Sequence, residues 1–288
     1  MIQGRSDRTI ASSRPDAPPC NKLDVYAKDS AIDCAPRAGS IMTANWRGRP
    51  LQAILWDLDG TLIDTADDIA LALNRALRDH RLPAVPPATV RTLIGRGSPI
   101  LISRALASNG ISADQATQQE LFKRFVLHYE SLQTGGESTA VAYAGAAAAL
   151  RRLQAEGLRL ACVTNKQYSL AVHCLEHAGL SGYLDLVVGG DTCSRRKPAP
   201  DPLLHACRTL GVGLEATLMV GDSLNDVLAA QAAPMPIVCV PYGYNEGNDP
   251  RALACDGRVE RLDELPALLG LGPAMGQPRI PGATGFPV

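Results

Sequence analysis

Four short stretches carry residue types able to act together: Asp57 and Asp59 in WDLDGTLID, Thr164 and Asn165 in VTNK, Lys197 in RRKPAP, and Asp222 with Asp226 in VGDSLND. Paired carboxylates serve as nucleophile, as general acid and base, or as ligands for a hard divalent cation. A hydroxyl, a backbone N–H and an ammonium orient and neutralise anionic oxygen. Singly, each stretch has a plainer explanation: Asp at a strand end caps a helix, Thr-Asn makes a turn, Lys-Pro is solvated surface and Gly-Asp-Ser is a common turn. Four of them in series, each at a strand end or the loop beyond it, ask for more than capping.

The elements that must position these residues are legible from periodicity. LQAILWDLDGTL is an apolar run ending in Asp57, a buried strand entering a turn. From Thr65 to about Leu132 the spacing predicts helices, in ADDIALALNRALRDH, over residues 88–108 and over residues 119–132, with no strand between. From Ala146 strand and helix alternate: AALRRLQAEG, LRLACVTN, YSLAVHCLEHAG, DLVVGGD, a helix over residues 202–210, ATLMVGD, DVLAAQAA and PIVCV. Such βαβ repetition predicts an α/β fold with a doubly wound parallel sheet and a ligand at the carboxyl ends of its strands. The expected organisation is a disordered extension over residues 1–49, a core from residues 50–64 and 144–270, a helical insertion over residues 65–143, and a flexible Gly/Pro-rich tail over residues 271–288.

In this order, the four stretches resemble the four motifs of the haloacid-dehalogenase phosphohydrolase superfamily, over roughly residues 51–269. VVGGD, KPAPDPLL, VGDSLNDVLAA and PYGYN resemble its phosphoglycolate phosphatase family. The resemblance implies a Rossmann-like core with an inserted helical cap. It also implies Mg²⁺-dependent hydrolysis of a small phosphate monoester, foremost 2-phosphoglycolate to glycolate and phosphate, through an aspartyl-phosphate intermediate. Asp57 is then the nucleophile; Asp57, Asp222 and the backbone carbonyl of Asp59 are ligands of Mg²⁺, and Asp226 orients that shell from behind. Asp59, two residues on, donates a proton to the leaving oxygen and later takes one from water. Thr164 and the backbone N–H of Asn165 meet phosphoryl oxygens, and Lys197 supplies positive charge. Within the cap, Arg96 stands between Gly95 and Gly97 and is the expected contact for a substrate carboxylate, cap N–H groups and Lys166 being the alternatives. Trp56, Arg96, Ala144 and Pro234 depart from the family's commoner Phe, Asn, Pro and Gly.

Other readings compete. His173, Glu176 and His177 match an inverted zinc-protease signature, and a phosphoaccepting signalling module also gathers Asp, Thr and Lys around Mg²⁺. Within the superfamily, a sugar-phosphate phosphatase or phosphomutase is the runner-up. Composition excludes wider classes. A net charge of −1 over 288 residues gives no footprint for nucleic acid, and no apolar run approaches the ~18 residues of a membrane span. The eight cysteines form no C-x-x-C pair; the polar start lacks the apolar core expected of a signal peptide, and Asp7, Asp16, Asp24, Asp29 and Asp33 argue against a transit peptide. A cytoplasmic enzyme acting on a small phosphorylated metabolite, monomeric or homodimeric, is the expectation.

Overall fold

The computed structural model describes residues 44–272; the expectations for residues 1–43 and 273–288 lie outside that range. Disorder was expected through residue 49, yet the chain is already ordered from Ala44. A hairpin of β1 (Asn45–Trp46) and β2 (Arg49–Pro50) forms there, because burial of Ala44 and Trp46 anchors it to the core. The opposite boundary shifts likewise: Leu271 is buried, and the Arg152 guanidinium donates to the Gly272 carbonyl at 3.2 Å.

Next comes β3 (Ala53–Trp56), whose four residues are all fully buried. A helical insertion follows, closed by an antiparallel ribbon of β4 (Ile63–Asp64) with β5 (Val141–Ala142). It holds α1 (Ala66–Asp79), α2 (Pro87–Leu93), α3 (Ser98–Ser108) and α4 (Gln115–Thr134). The helical run expected over residues 88–108 is split. Ile94 turns extended and Gly95 and Gly97 take φ of 142° and 82°, on the positive side that glycine tolerates, so the chain breaks between α2 and α3.

Strand and helix then alternate: α5 (Ala146–Ala155), β6 (Arg159–Val163), α6 (Tyr168–His177), β7 (Leu186–Val188), α7 (Asp201–Leu210), β8 (Thr217–Gly221), α8 (Leu224–Ala232), β9 (Ile237–Cys239), β10 (Gly257–Arg258) and the short α9 (Leu265–Leu268). Six of these strands form one sheet in the order β10-β9-β8-β3-β6-β7, parallel at every pairing. Side chains alternate across it. Ile54, Trp56, Leu160, Cys162, Leu218 and Val220 enter one core, with α1, α4, α5 and α6; Ala53, Leu55, Ala161, Val163 and Met219 enter the other, with α7 and α8. Both faces are therefore buried, which explains why the strands read as continuous apolar runs rather than alternating ones. The chain leaves β3 toward β6 on one side and returns to β8 on the other. The carboxyl end of β3 is thus the switch point of the sheet, where a crevice opens.

Candidate functional site

Asp57, Thr164 and Asp222 each follow the last residue of one of three adjacent strands, β3, β6 and β8. Lys197 reaches the same place from the loop after β7 and is only 2% exposed. Its ammonium has three protons and three acceptors: Asp57 Oδ1 at 2.7 Å, Asp226 Oδ1 at 2.7 Å and the Val163 carbonyl at 2.6 Å. Asp226 owes its position to the start of α8, where its Oδ2 accepts from the Ser223 backbone N–H at 3.1 Å and hydroxyl at 2.7 Å, a reciprocal cap.

Asp222 is held in a tight seat. Its Oδ1 accepts from the Thr61 hydroxyl at 3.0 Å and its Oδ2 from the Tyr244 backbone N–H at 2.7 Å. A Cβ on Gly60 would lie 2.5 Å from Oδ2, and φ at Gly60 is 92°, so both space and backbone require glycine after Asp59.

Asp57, Asp222 and Asp226 can each bring a carboxylate oxygen within 4.8 Å of the others, the one such acidic or histidine-bearing group among the described residues. Burial lifts the Asp57 carboxyl to about 7; Lys197 opposes the rise and Asp226 adds to it. Burial, and then Asp57 and Asp226, push Asp222 well above the ordinary carboxylate range. Burial alone would lower Lys197, but Asp226 and Asp57 outweigh it and hold the ammonium above its usual value. Ionised, the three carboxylates would exceed by two charges the single ammonium of Lys197, which reaches only Asp57 and Asp226. All-oxygen donors with that charge fit a hard divalent cation.

Asp59 lies beside this group rather than within it. Its Oδ1 accepts from the Thr65 hydroxyl at 2.6 Å and from Lys166 Nζ at 2.9 Å. Thr164 is buried and its Oγ1 accepts from the Lys166 backbone N–H at 3.1 Å. The Asn165 side chain bridges the molecule's two parts, donating to the Gly95 carbonyl of the insertion and the Lys197 carbonyl of the core, both at 2.9 Å.

Between sheet and insertion these residues enclose a cavity of about 40 Å³, whose far wall is Ile69, Ile94, Leu101 and Phe125. Arg96, expected to meet a substrate carboxylate, is not among the residues lining that cavity. Its Nε donates to Glu246 Oε1 at 2.7 Å, and Arg104 donates to the other oxygen of Glu246. Glu246, half-buried and also accepting from Asn225, is the stronger local attraction and draws the guanidinium away. The inverted zinc-protease triplet assembles no group either: Glu176 and His177 are exposed at the end of α6, and His173 Nδ1 is buried without a partner.

Several site residues were not foreseen. Thr61 and Thr65 sit just after Asp59, and Tyr244 lies in the PYGYN stretch beyond β9, brought to Asp222 only by the fold. Lys166, directly after the Thr-Asn pair, was foreseen only as an alternative contact for a carboxylate, and its hydrogen bond to Asp59 was not.

Comparison with known proteins bears on this geometry. A family described as haloacid dehalogenase-like hydrolase matches residues 54–240. The chain is 45% identical over 220 residues to a protein named phosphoglycolate phosphatase, plasmid, from Cupriavidus necator, covering 76% of this chain and 94% of that one. It is 42% identical over 221 residues to the phosphoglycolate phosphatase of Nitrosospira multiformis, covering 76% and 96%. Among solved structures, a predicted phosphoglycolate phosphatase from Haemophilus somnus superposes with a TM-score of 0.70 at 28% identity, covering 76% of this chain and 97% of that one. Among the described residues no helix is long and apolar enough to cross a membrane.

Proposed function

The chain belongs to the haloacid dehalogenase-like hydrolase family and is a phosphatase, and from that footing we propose that it hydrolyses 2-phosphoglycolate to glycolate and phosphate with Mg²⁺ as cofactor. The observation carrying the reaction type is the buried set of Asp57, Asp222, Asp226 and Lys197 at the ends of neighbouring strands, with Asp59 two residues beyond Asp57. The substrate reading rests on the relatives' names and on the small cavity closed in between sheet and insertion, which favours a compact ester.

In this mechanism Asp57 and Asp222, with the Asp59 carbonyl, would hold the metal, and Asp226 keeps Lys197 and the start of α8 in register. A bound cation would supply the positive charge that offsets the repulsion between the phosphoryl group and Asp57. Lys197 engages Oδ1 of Asp57, so Oδ2 is the oxygen that attacks phosphorus. The ester P–O bond breaks as the new bond forms, and Asp59 gives its proton to the departing glycolate oxygen. Thr164 and the Asn165 backbone N–H steady the phosphoryl oxygens. Water then attacks phosphorus, Asp59 accepts its proton, and cleavage of the P–O bond to Asp57 frees phosphate. The α1–α4 insertion acts as a cap that excludes bulk water during both steps. We place the enzyme in the cytoplasm, where reduced thiols match the six free cysteines among the described residues.

The test is a screen of phosphate monoesters with Mg²⁺. 2-Phosphoglycolate is expected to show the highest kcat/KM; a higher value for a hexose phosphate transfers the assignment to a sugar-phosphate phosphatase.

A further inference from the structure

Two lysines line the cavity among the described residues, and their states differ. Lys197 has spent all three ammonium protons on Asp57, Asp226 and the Val163 carbonyl. Lys166 is almost as buried, at 5% exposed, yet its one hydrogen bond from Nζ goes to Asp59 Oδ1. Its charge also lies over the Tyr129 ring of α4, 4.4 Å from the centroid, a contact that needs no hydrogen bond. A buried ammonium with unspent donors at the cavity wall is a site for a further anion.

We propose that Lys166 is the specificity-determining residue for the carboxylate of the substrate; this rests on the phosphoglycolate reading above. Position supports it. Asp59 delivers its proton to the ester oxygen, and the carboxylate carbon of a two-carbon glycolate group is only two bonds from that oxygen. Lys166, one hydrogen bond from Asp59, therefore stands where that carboxylate falls. The rest of the surroundings leaves it little competition. The insertion's side chains in the wall are those of Ile69, Ile94, Ser98, Leu101 and Phe125, which offer no charge, and Arg96 is held by Glu246. A carboxylate there without Lys166 would be desolvated and unpaired. The start of α3 complements it from the cap side, since no side chain caps it and Gly97 and Ser98 line the cavity.

The experiment compares 2-phosphoglycolate with 2-hydroxyethyl phosphate, which has the same two-carbon frame and an uncharged end. Lys166→Met also disturbs Asp59 and slows both esters, so the ratio of their kcat/KM values is the readout. That ratio is expected to fall by roughly 10- to 100-fold, the weight of one charge-assisted hydrogen bond, with most of the differential loss in KM. Lys166→Gln, which keeps a donor toward Asp59, gives the same comparison if the methionine variant does not fold. An unchanged ratio in a variant whose parent prefers 2-phosphoglycolate overturns the role of Lys166 and leaves the substrate assignment standing. A wild-type enzyme with no preference between the two esters overturns both.

Discussion

The two walls of the cleft are built on opposite principles. The core wall is dense with charge: Asp57, Asp222, Asp226 and Lys197 are all buried, and each is fixed by partners at a strand end or a helix start. The insertion wall is apolar, and polar links join it to the core through the turn over residues 94–97. There the Gly95 carbonyl accepts from Asn165, the Arg96 carbonyl accepts from Arg196, and Arg96 pairs with Glu246. The difference separates two tasks. Strand ends give the rigid placement that bond-making needs, whereas the insertion supplies the uncharged side chains that face them across the cavity.

If the core wall does the chemistry, breaking it costs most. Asp57→Asn is expected to lower kcat by several orders of magnitude while circular dichroism stays native, because an amide neither attacks phosphorus nor serves as an anionic metal ligand. Near-normal turnover would remove Asp57 as the nucleophile. Exhaustive chelation is expected to silence the enzyme equally, with Mg²⁺ restoring it. Asp59→Asn comes next, with a loss of ~10²–10⁴ in kcat, the usual weight of general acid–base catalysis; full activity at neutral pH would exclude Asp59 from proton transfer.

The same wall predicts how stability responds to pH. Asp57 is raised from 3.8 to about 7 in the folded protein, and Asp222 is raised as well. A carboxyl raised on folding supports the fold most below its unfolded value, and that support is lost as pH rises through the folded value. Each such group changes stability by up to about 1.4 kcal/mol per pH unit. The metal-free protein is thus expected to be less stable at pH 8 than at pH 5.5, and Mg²⁺ should raise Tm more at the higher pH. Carboxylates held low on the surface, such as Asp79 and Glu137, are already ionised across this window. Equal Tm shifts at both pH values would show that the cluster does not demand a cation.

The core wall was legible in the sequence and the insertion wall was not, for physical reasons. Strand-end motifs are local: Asp57, Thr164 and Asp222 follow apolar runs whose burial decides both the strand and the position of the next side chain. The two-residue strands β1, β2, β4, β5 and β10 have no periodicity to detect and exist only through their tertiary partners. The ordered start at Ala44 likewise depends on Trp46 finding the core. The ion pair of Arg96 could not be read from the sequence, because its partner, Glu246, lies 150 positions away in a turn where φ is +52°.

The smallest expected effect concerns Arg96 and sharpens the contrast between the walls. Had this guanidinium held the substrate carboxylate, Arg96→Ala would reduce kcat/KM for 2-phosphoglycolate by one to two orders of magnitude and spare esters lacking that group. In the structure it instead pairs with Glu246, and its side chain is 51% exposed. A half-exposed ion pair contributes about 0–1 kcal/mol, and Arg104 still holds the other carboxylate oxygen when Arg96 is gone. Arg96→Ala should therefore change kcat/KM less than about fivefold, in equal proportion for 2-phosphoglycolate and 2-hydroxyethyl phosphate. Loss of both guanidiniums leaves Glu246 half-buried with only the neutral Asn225 amide as a partner, so Arg96→Ala with Arg104→Ala should cost more than the two single changes together. Because the pairing is partly exposed, raising the ionic strength should shrink the Arg96→Ala effect further. A loss confined to the carboxylate ester would return Arg96 to the binding site and displace Lys166 from it.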